Sequence, residues 1–272
     1  MQKTIYAKCS VERKEEYKIV TRIVEEDGVW SVEKTAVGEK AKLHVERMAE
    51  FAKNSPYLTE NVVLSVCEKV ADGQVRFPYV EGTRLDEVID DAVKAGDWDI
   101  VWEKVELLKT IIMNVRGVES FQMTDTFKAM FGDTPSLEGY EAARNVSIDM
   151  VSANIFLSDK IYILDYEWSF DFPVPLKFIL YRSILLNGTL NVIPEDKKKI
   201  LMDKVGITQE ECELFLGMEI AFQKYVTGVS LNNLYPDMPT KHTVVREENY
   251  RNEPKRCLAY RVARKIKRII TA

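Results

Sequence analysis

Residues 145–168, NVSIDMVSANIFLSDKIYILDYEW, constrain this chain more than any other stretch. Two short apolar runs, Ile155-Phe156-Leu157 and Ile161 to Leu164, flank the polar triplet Ser158-Asp159-Lys160. That pattern predicts a β-hairpin turned at the triplet. Asn154 precedes the first run and Asp165 ends the second, while Asp149 stands five residues before Asn154 and sixteen before Asp165. A carboxylate, an amide and a second carboxylate are thus set out along one loop and one hairpin.

Such a set suits metal-assisted phosphoryl transfer. One Asp can accept the proton of an attacking hydroxyl, while the Asn and the other Asp bind Mg²⁺ on nucleotide phosphates. The spacing D-x-x-x-x-N, followed by an apolar strand ending in Asp, resembles the catalytic loop and metal motif of the protein-kinase-like superfamily. It looks most like the small-molecule branch that includes aminoglycoside phosphotransferases and choline kinases. There the loop reads roughly H-G-D-x-x-x-x-N and the strand ends I-D-W/Y-E, close to Ile163-Leu164-Asp165-Tyr166-Glu167 here. The resemblance implies Asp149 as catalytic base, Asn154 and Asp165 as Mg²⁺ ligands, and ATP as donor. Phe156 and Leu164 would line the floor beneath the adenine.

The rest of the sequence is organised as that resemblance implies. Strand-like runs at Thr4 to Cys9, Tyr17 to Val24 and Val29 to Lys34 are followed by a helical stripe of Ala41, Val45, Met48 and Ala52. Glu26-Asp27-Gly28 between the second and third runs is a strong hairpin signal. Val62 to Val66 and Gln74 to Val80 are expected to complete a five-stranded sheet. Helices are expected over Leu85 to Val93, Trp98 to Val115 and Leu176 to Leu186. The expected fold class is α+β and bilobal protein-kinase-like, with a small N-terminal antiparallel sheet carrying one helix and a larger, mainly helical C-terminal lobe. The corresponding divisions are 1–80, 81–240 and a basic tail, 241–272.

Within the first lobe, Lys34 closes a strand whose alternation puts Val32 on the same face. The resemblance makes Lys34 the lysine that reaches the nucleotide α/β-phosphates, with Val32 against the adenine. Its partner would be a glutamate on the next helix, Glu46 first and Glu50 second. Phe77-Pro78-Tyr79-Val80-Glu81-Gly82 resembles the hinge F-x-Y-x-E-G of small-molecule kinases, so the backbone of Tyr79 and Val80 would meet the adenine edge.

Two features depart from the family pattern. The turn after the first strand, Ser10 to Glu16, holds no glycine and three acids, with Arg13 and Lys14 between them. Ser147-Ile148 stands where the family has His-Gly or His-Arg before the catalytic Asp. Losing both features gives weight to a pseudokinase, a nucleotide-binding or scaffolding module, beside the enzyme.

Beyond Asp165, the run Tyr166 to Pro175 is rich in aromatics and leads to Phe178-Ile179-Leu180-Tyr181-Arg182. It looks like kinase-like proteins of bacterial cell-surface polysaccharide assembly, which implies a sugar or glycan hydroxyl as acceptor. These aromatics read either as a wall of the acceptor site or as ordinary core.

Composition removes other classes. Four scattered cysteines and two histidines leave no zinc pattern and read as reduced cytosolic thiols. A net charge of −5 argues against a nucleic-acid partner. Met1-Gln2-Lys3-Thr4 opens on no signal sequence, and no apolar run reaches bilayer length, so a cytoplasmic protein is expected. Asp97-Trp98-Asp99 has the D-x-D form of glycosyltransferases, but it sits at a helix start, where acids favour the dipole. In Lys255 to Ala272, Leu258, Val262, Ile266 and Ile269 recur at helical spacing among Arg261, Arg264, Lys265 and Arg268. That tail reads either as a helix for an anionic membrane surface or protein partner, or as a helix packed on the large lobe.

Overall fold

The structure is a computed structural model that describes residues 2–54, 56–57 and 61–228. The basic tail, and with it the membrane expectation, lies outside the described residues.

Strands β1 (Lys3–Cys9), β2 (Ile19–Glu26) and β3 (Val29–Ala36) form an antiparallel meander. The β2–β3 turn is tight because Asp27 and Gly28 both take positive φ, 51° and 81°, the geometry that matches strand twist. Helix α1 (Lys42–Lys53) buries His44, Val45, Met48 and Phe51. Strands β4 (Val62–Leu64), β5 (Glu68–Ala71) and β6 (Gln74–Pro78) follow, and the N-terminal sheet has the order β1-β2-β3-β6-β5.

The sheet has five strands, but one of them is not the run expected from the sequence. Val62 to Leu64 pairs instead in parallel with Ile161–Ile163, Ile161 against Val62 and Ile163 against Leu64. Its apolar side chains are taken up where the second part of the chain begins. The fifth strand is β5, fully exposed along its length, an edge with no apolar alternation to reveal it.

The chain then runs through β7 (Thr83–Arg84), α2 (Leu85–Ala95) and α3 (Trp98–Met113). The side chain of Asp97 caps α3 by accepting from the Ile100 N–H at 3.2 Å, which accounts for the D-x-D triplet. Next come β8 (Glu119–Ser120), α4 (Asp125–Phe131), β9 (Glu141–Ala143) and β10 (Val146–Ser147). The expected hairpin forms as β11 (Ile155–Leu157) and β12 (Ile161–Ile163), and joins β4 and β7 in a sheet ordered β4-β12-β11-β7. Two short strands, β13 (Ser169–Phe170) and β14 (Val174–Pro175), precede α5 (Leu176–Leu186), α6 (Glu195–Val205) and α7 (Gln209–Thr227).

Helix α5 is buried at every position except Lys177, as expected of a helix apolar almost all round. Trp168, Phe170 and Phe172 sit in the core against Phe222, Phe131 and Phe127, as core packing, one of the two readings of these aromatics, leads one to expect. The α+β class, with an antiparallel sheet and one helix before a mainly helical remainder, is the arrangement the sequence led us to expect. Among the described residues no helix is long and apolar enough to cross a membrane.

Candidate active site

The β11–β12 hairpin does what its sequence implies: it returns the chain so that Asp165 lies beside Asn154. The Leu164 N–H donates to the Asn154 carbonyl at 2.8 Å. The Asn154 amide nitrogen donates to the carbonyls of Asp149 at 3.0 Å and Asp165 at 3.4 Å. One side chain therefore fixes the loop holding Asp149 to the strand end holding Asp165. Asp165 takes φ 51°, a left-handed conformation that Asp tolerates better than most residues. Backbone outliers of this kind gather at functional sites, where the surroundings hold them in place.

From the N-terminal sheet, Lys34 reaches this point. Its Nζ donates to Asp165 Oδ1, and to Glu167 Oε2 at 3.2 Å. Burial works against the lysine's charge, but the two carboxylates outweigh it and raise its pKa. Glu167 is itself buried and receives Arg13 Nη2 at 2.6 Å. Burial favours its neutral form, yet Arg13 and Lys34 hold its pKa well below the usual carboxylate range. Lys34, Arg13 and Glu167 are therefore charged at neutral pH.

Glu46 is not the partner of Lys34. Its carboxylate accepts from the Gly73 N–H at 3.0 Å and pairs with Lys69 at 2.7 Å, and Glu50 is exposed. From α1, His44 is the residue beside this network, its ring centre 4.7 Å from that of Trp168. Burial pushes its pKa down to about 4, so it is neutral. The acid of the lysine pair comes instead from the loop after β12, as Glu167.

Asp149 is 8% exposed and accepts from Arg182 Nη1 at 2.7 Å. The same nitrogen donates to the Ile148 carbonyl at 2.7 Å, and Arg182 Nε donates to Glu219 at 2.8 Å. Gln223 supplies a further donor to Glu219 at 2.8 Å. Arg182 thus holds the backbone just before Asp149, in a loop that lacks the histidine the family pattern leads one to expect. Burial raises the Asp149 pKa to about 6; Arg182 opposes the rise, while Glu167 and Asp165 add to it. A carboxylate in that range is ionised at pH 7 and still basic enough to take a proton.

Of the predicted residues, the structure brings Lys34, Asp149, Asn154 and Asp165 together. Val32, Val80, Phe156 and Leu164 are half-buried, with Val32 opposite Phe77 across β3 and β6. Tyr79 is exposed, with its ring against Trp30 and its N–H on the Trp30 carbonyl at 3.4 Å. Glu167 and Arg182 were not assigned roles from the sequence, although both lie in the quoted runs I-L-D-Y-E and F-I-L-Y-R. Glu219 carried no signal at all.

No family model matches the sequence, and neither does any curated protein. Solved structures similar to this chain include choline kinase LicA from Streptococcus pneumoniae, with a TM-score of 0.45 at 11% identity over 93% of this chain and 90% of that one. Spectinomycin phosphotransferase in complex with ADP and spectinomycin gives 0.42 at 10% identity, over 96% and 92%. An ethanolamine kinase from Plasmodium vivax gives 0.36 at 10% identity, over 91% and 79%.

Proposed function

We propose that this protein is a phosphotransferase that moves the γ-phosphoryl group of ATP to the hydroxyl of a small molecule, sugar or glycan. The observation that carries this reading is the convergence of Lys34, Asp149, Asn154 and Asp165 from two parts of the chain. Phosphoryl transfer asks a protein mainly for positioning and for charge where negative charge develops. Lys34 would meet the α/β-phosphates, and Asp149 would orient the acceptor hydroxyl and take its proton.

Asn154 and Asp165 fit Mg²⁺. The ion keeps several waters and is held by one or two protein oxygens plus substrate phosphates. With the Asn154 nitrogen engaged on two carbonyls, its amide oxygen is the atom that can ligate. Among the described residues there is no cluster of three or more His, Cys, Asp or Glu that would hold the ion by protein ligands alone. When bound, Mg²⁺ would neutralise phosphate charge and relieve the Lys34–Asp165 pair of its present task.

A pseudokinase is the second reading, and one observation favours it: Lys34 is already bound to two carboxylates, Asp165 and Glu167. Thermal denaturation separates a nucleotide-binding protein from a pure scaffold, and transfer of label from ATP to an acceptor separates the enzyme from a nucleotide-binding pseudokinase. ATP with Mg²⁺, at about 100 times its Kd, is expected to stabilise the wild type by about 2.7 kcal/mol. Asp165→Asn is expected to remove the Mg²⁺-dependent part. An unchanged melting curve in ATP and Mg²⁺ would end the nucleotide reading. The polysaccharide role rests only on the resemblance of residues 165–182, and a screen of sugar and glycan acceptors with labelled ATP would test it.

A further inference from the structure

The turn between β1 and β2 is the place where a phosphate-covering loop would offer glycine backbone, and it holds none between Ser10 and Tyr17. It is instead tied to the far part of the molecule. The Lys14 N–H donates to the Val226 carbonyl at 2.9 Å, at the end of α7. Lys14 Nζ lies 4.9 Å from the centre of the Tyr225 ring, and the Tyr17 and Tyr225 hydroxyls are 3.0 Å apart. These contacts tie the turn to the end of α7, with the Arg13 side chain directed at Glu167. Of the three acids of the turn, Glu15 and Glu16 are exposed and Glu15 pairs with Lys40 at 2.9 Å, while the half-buried Glu12 lies close enough to act on Arg13 together with Glu167.

The Arg13 guanidinium is gripped from several sides. Nη2 donates to Glu167 at 2.6 Å, Nη1 to the Tyr17 carbonyl at 3.4 Å, and its plane lies over the Trp168 ring at 5.4 Å. Glu167 is shared with Lys34, so the two cations stand on either side of one buried carboxylate, next to Asp165. The side chain of Arg13 remains 19% exposed, so part of it is reachable from solvent.

On the nucleotide reading, we infer that Arg13 is a second phosphate-binding cation, which does with a fixed side chain what a glycine-rich turn does with backbone N–H groups. An Arg fork has five donors, and the bonds to Glu167 and the Tyr17 carbonyl hold it in place here. The others can meet phosphate oxygens, for which guanidinium geometry is suited. Glu167 then acts as the clamp that orders both cations before nucleotide arrives, and the Lys14 and Tyr17 contacts set the height of the cover.

Titration calorimetry with ADP plus Mg²⁺, and separately with adenosine, tests this on the full chain and on Arg13→Gln and Arg13→Lys. Arg13→Gln is expected to weaken ADP by about 10- to 100-fold, the range for a hydrogen bond to a charged group, and to leave adenosine unchanged. Arg13→Lys, which keeps charge but not the fork, should fall between. If Arg13→Gln binds ADP as well as the wild type, or more tightly, Arg13 is a bystander or a plug and the inference fails. If ADP and adenosine weaken together, the residue is structural and the inference also fails. A wild type that binds neither ligand overturns the nucleotide reading itself, a result distinct from those two.

Discussion

Asp149→Asn is expected to lower phosphoryl transfer by about 10²- to 10⁴-fold while leaving nucleotide affinity near wild type. The substitution keeps an oxygen for Arg182 Nη1, now 2.7 Å from the carboxylate, and removes only the basicity and the negative charge. Asp149 forms its ion pair with Arg182, whereas Asp165 and Glu167 are paired with Lys34 and Arg13. The pH profile should carry the same signature. Burial raises the Asp149 pKa to about 6, with Arg182 opposing. The base is therefore lost as pH falls through that range, and turnover should fall on the acid side. A divalent cation at Asp165 stabilises the ionised form, so the acid limb is expected at about pH 6 or lower. Turnover close to wild type in Asp149→Asn, or an acid limb above neutrality, would remove Asp149 from the role of base.

The second large effect is on stability. Arg182→Met leaves Asp149 and Glu219 as buried carboxylates without their shared cation, and should cost about 3–5 kcal/mol. For a chain of this size that is a drop of roughly 10 °C in Tm. The reason is the asymmetry of buried ion pairs: making one gains little, but removing one partner strands the other in a medium that solvates it poorly. Arg182→Lys retains the charge and loses the fork between Ile148, Asp149 and Glu219, so its loss should be smaller. Arg182→Met combined with Glu219→Gln should recover part of the single variant's loss, because one stranded charge disappears. Equal melting temperatures for wild type and Arg182→Met would show that the buried triad contributes nothing to holding the loop.

The fold was legible wherever local pattern and tertiary use agree. The Asp27-Gly28 turn, the α1 stripe and the β11–β12 hairpin were each read within a few residues, because periodicity and turn chemistry act over short distances. The misassigned strand shows where such reading stops. Val62 to Leu64 is apolar enough for any sheet, and nothing local says that Ile161 to Ile163 will claim it. Glu68–Ala71 is exposed along its length, so no apolar pattern marks it as a strand.

In the site the same division holds. Spacing and the resemblance to the kinase-like motif grouped Asp149, Asn154 and Asp165, and the hairpin with the Asn154 amide joins their backbones. Lys34 was legible from its strand together with that set. The choice of Glu46 failed because helix position does not determine which way a long side chain is drawn: the Gly73 N–H and Lys69 hold it, and Glu167 takes the lysine. The sequence by itself therefore determined the local chemistry, meaning which carboxylates and amide stand where along the chain. Only the tertiary structure decided their electrostatic partners. Arg13 meets Glu167 across 154 residues and Arg182 meets Asp149 across 33, and separations of that size leave no trace in any periodic pattern. Packing brings such charges together, and their strength comes from the exclusion of water around them.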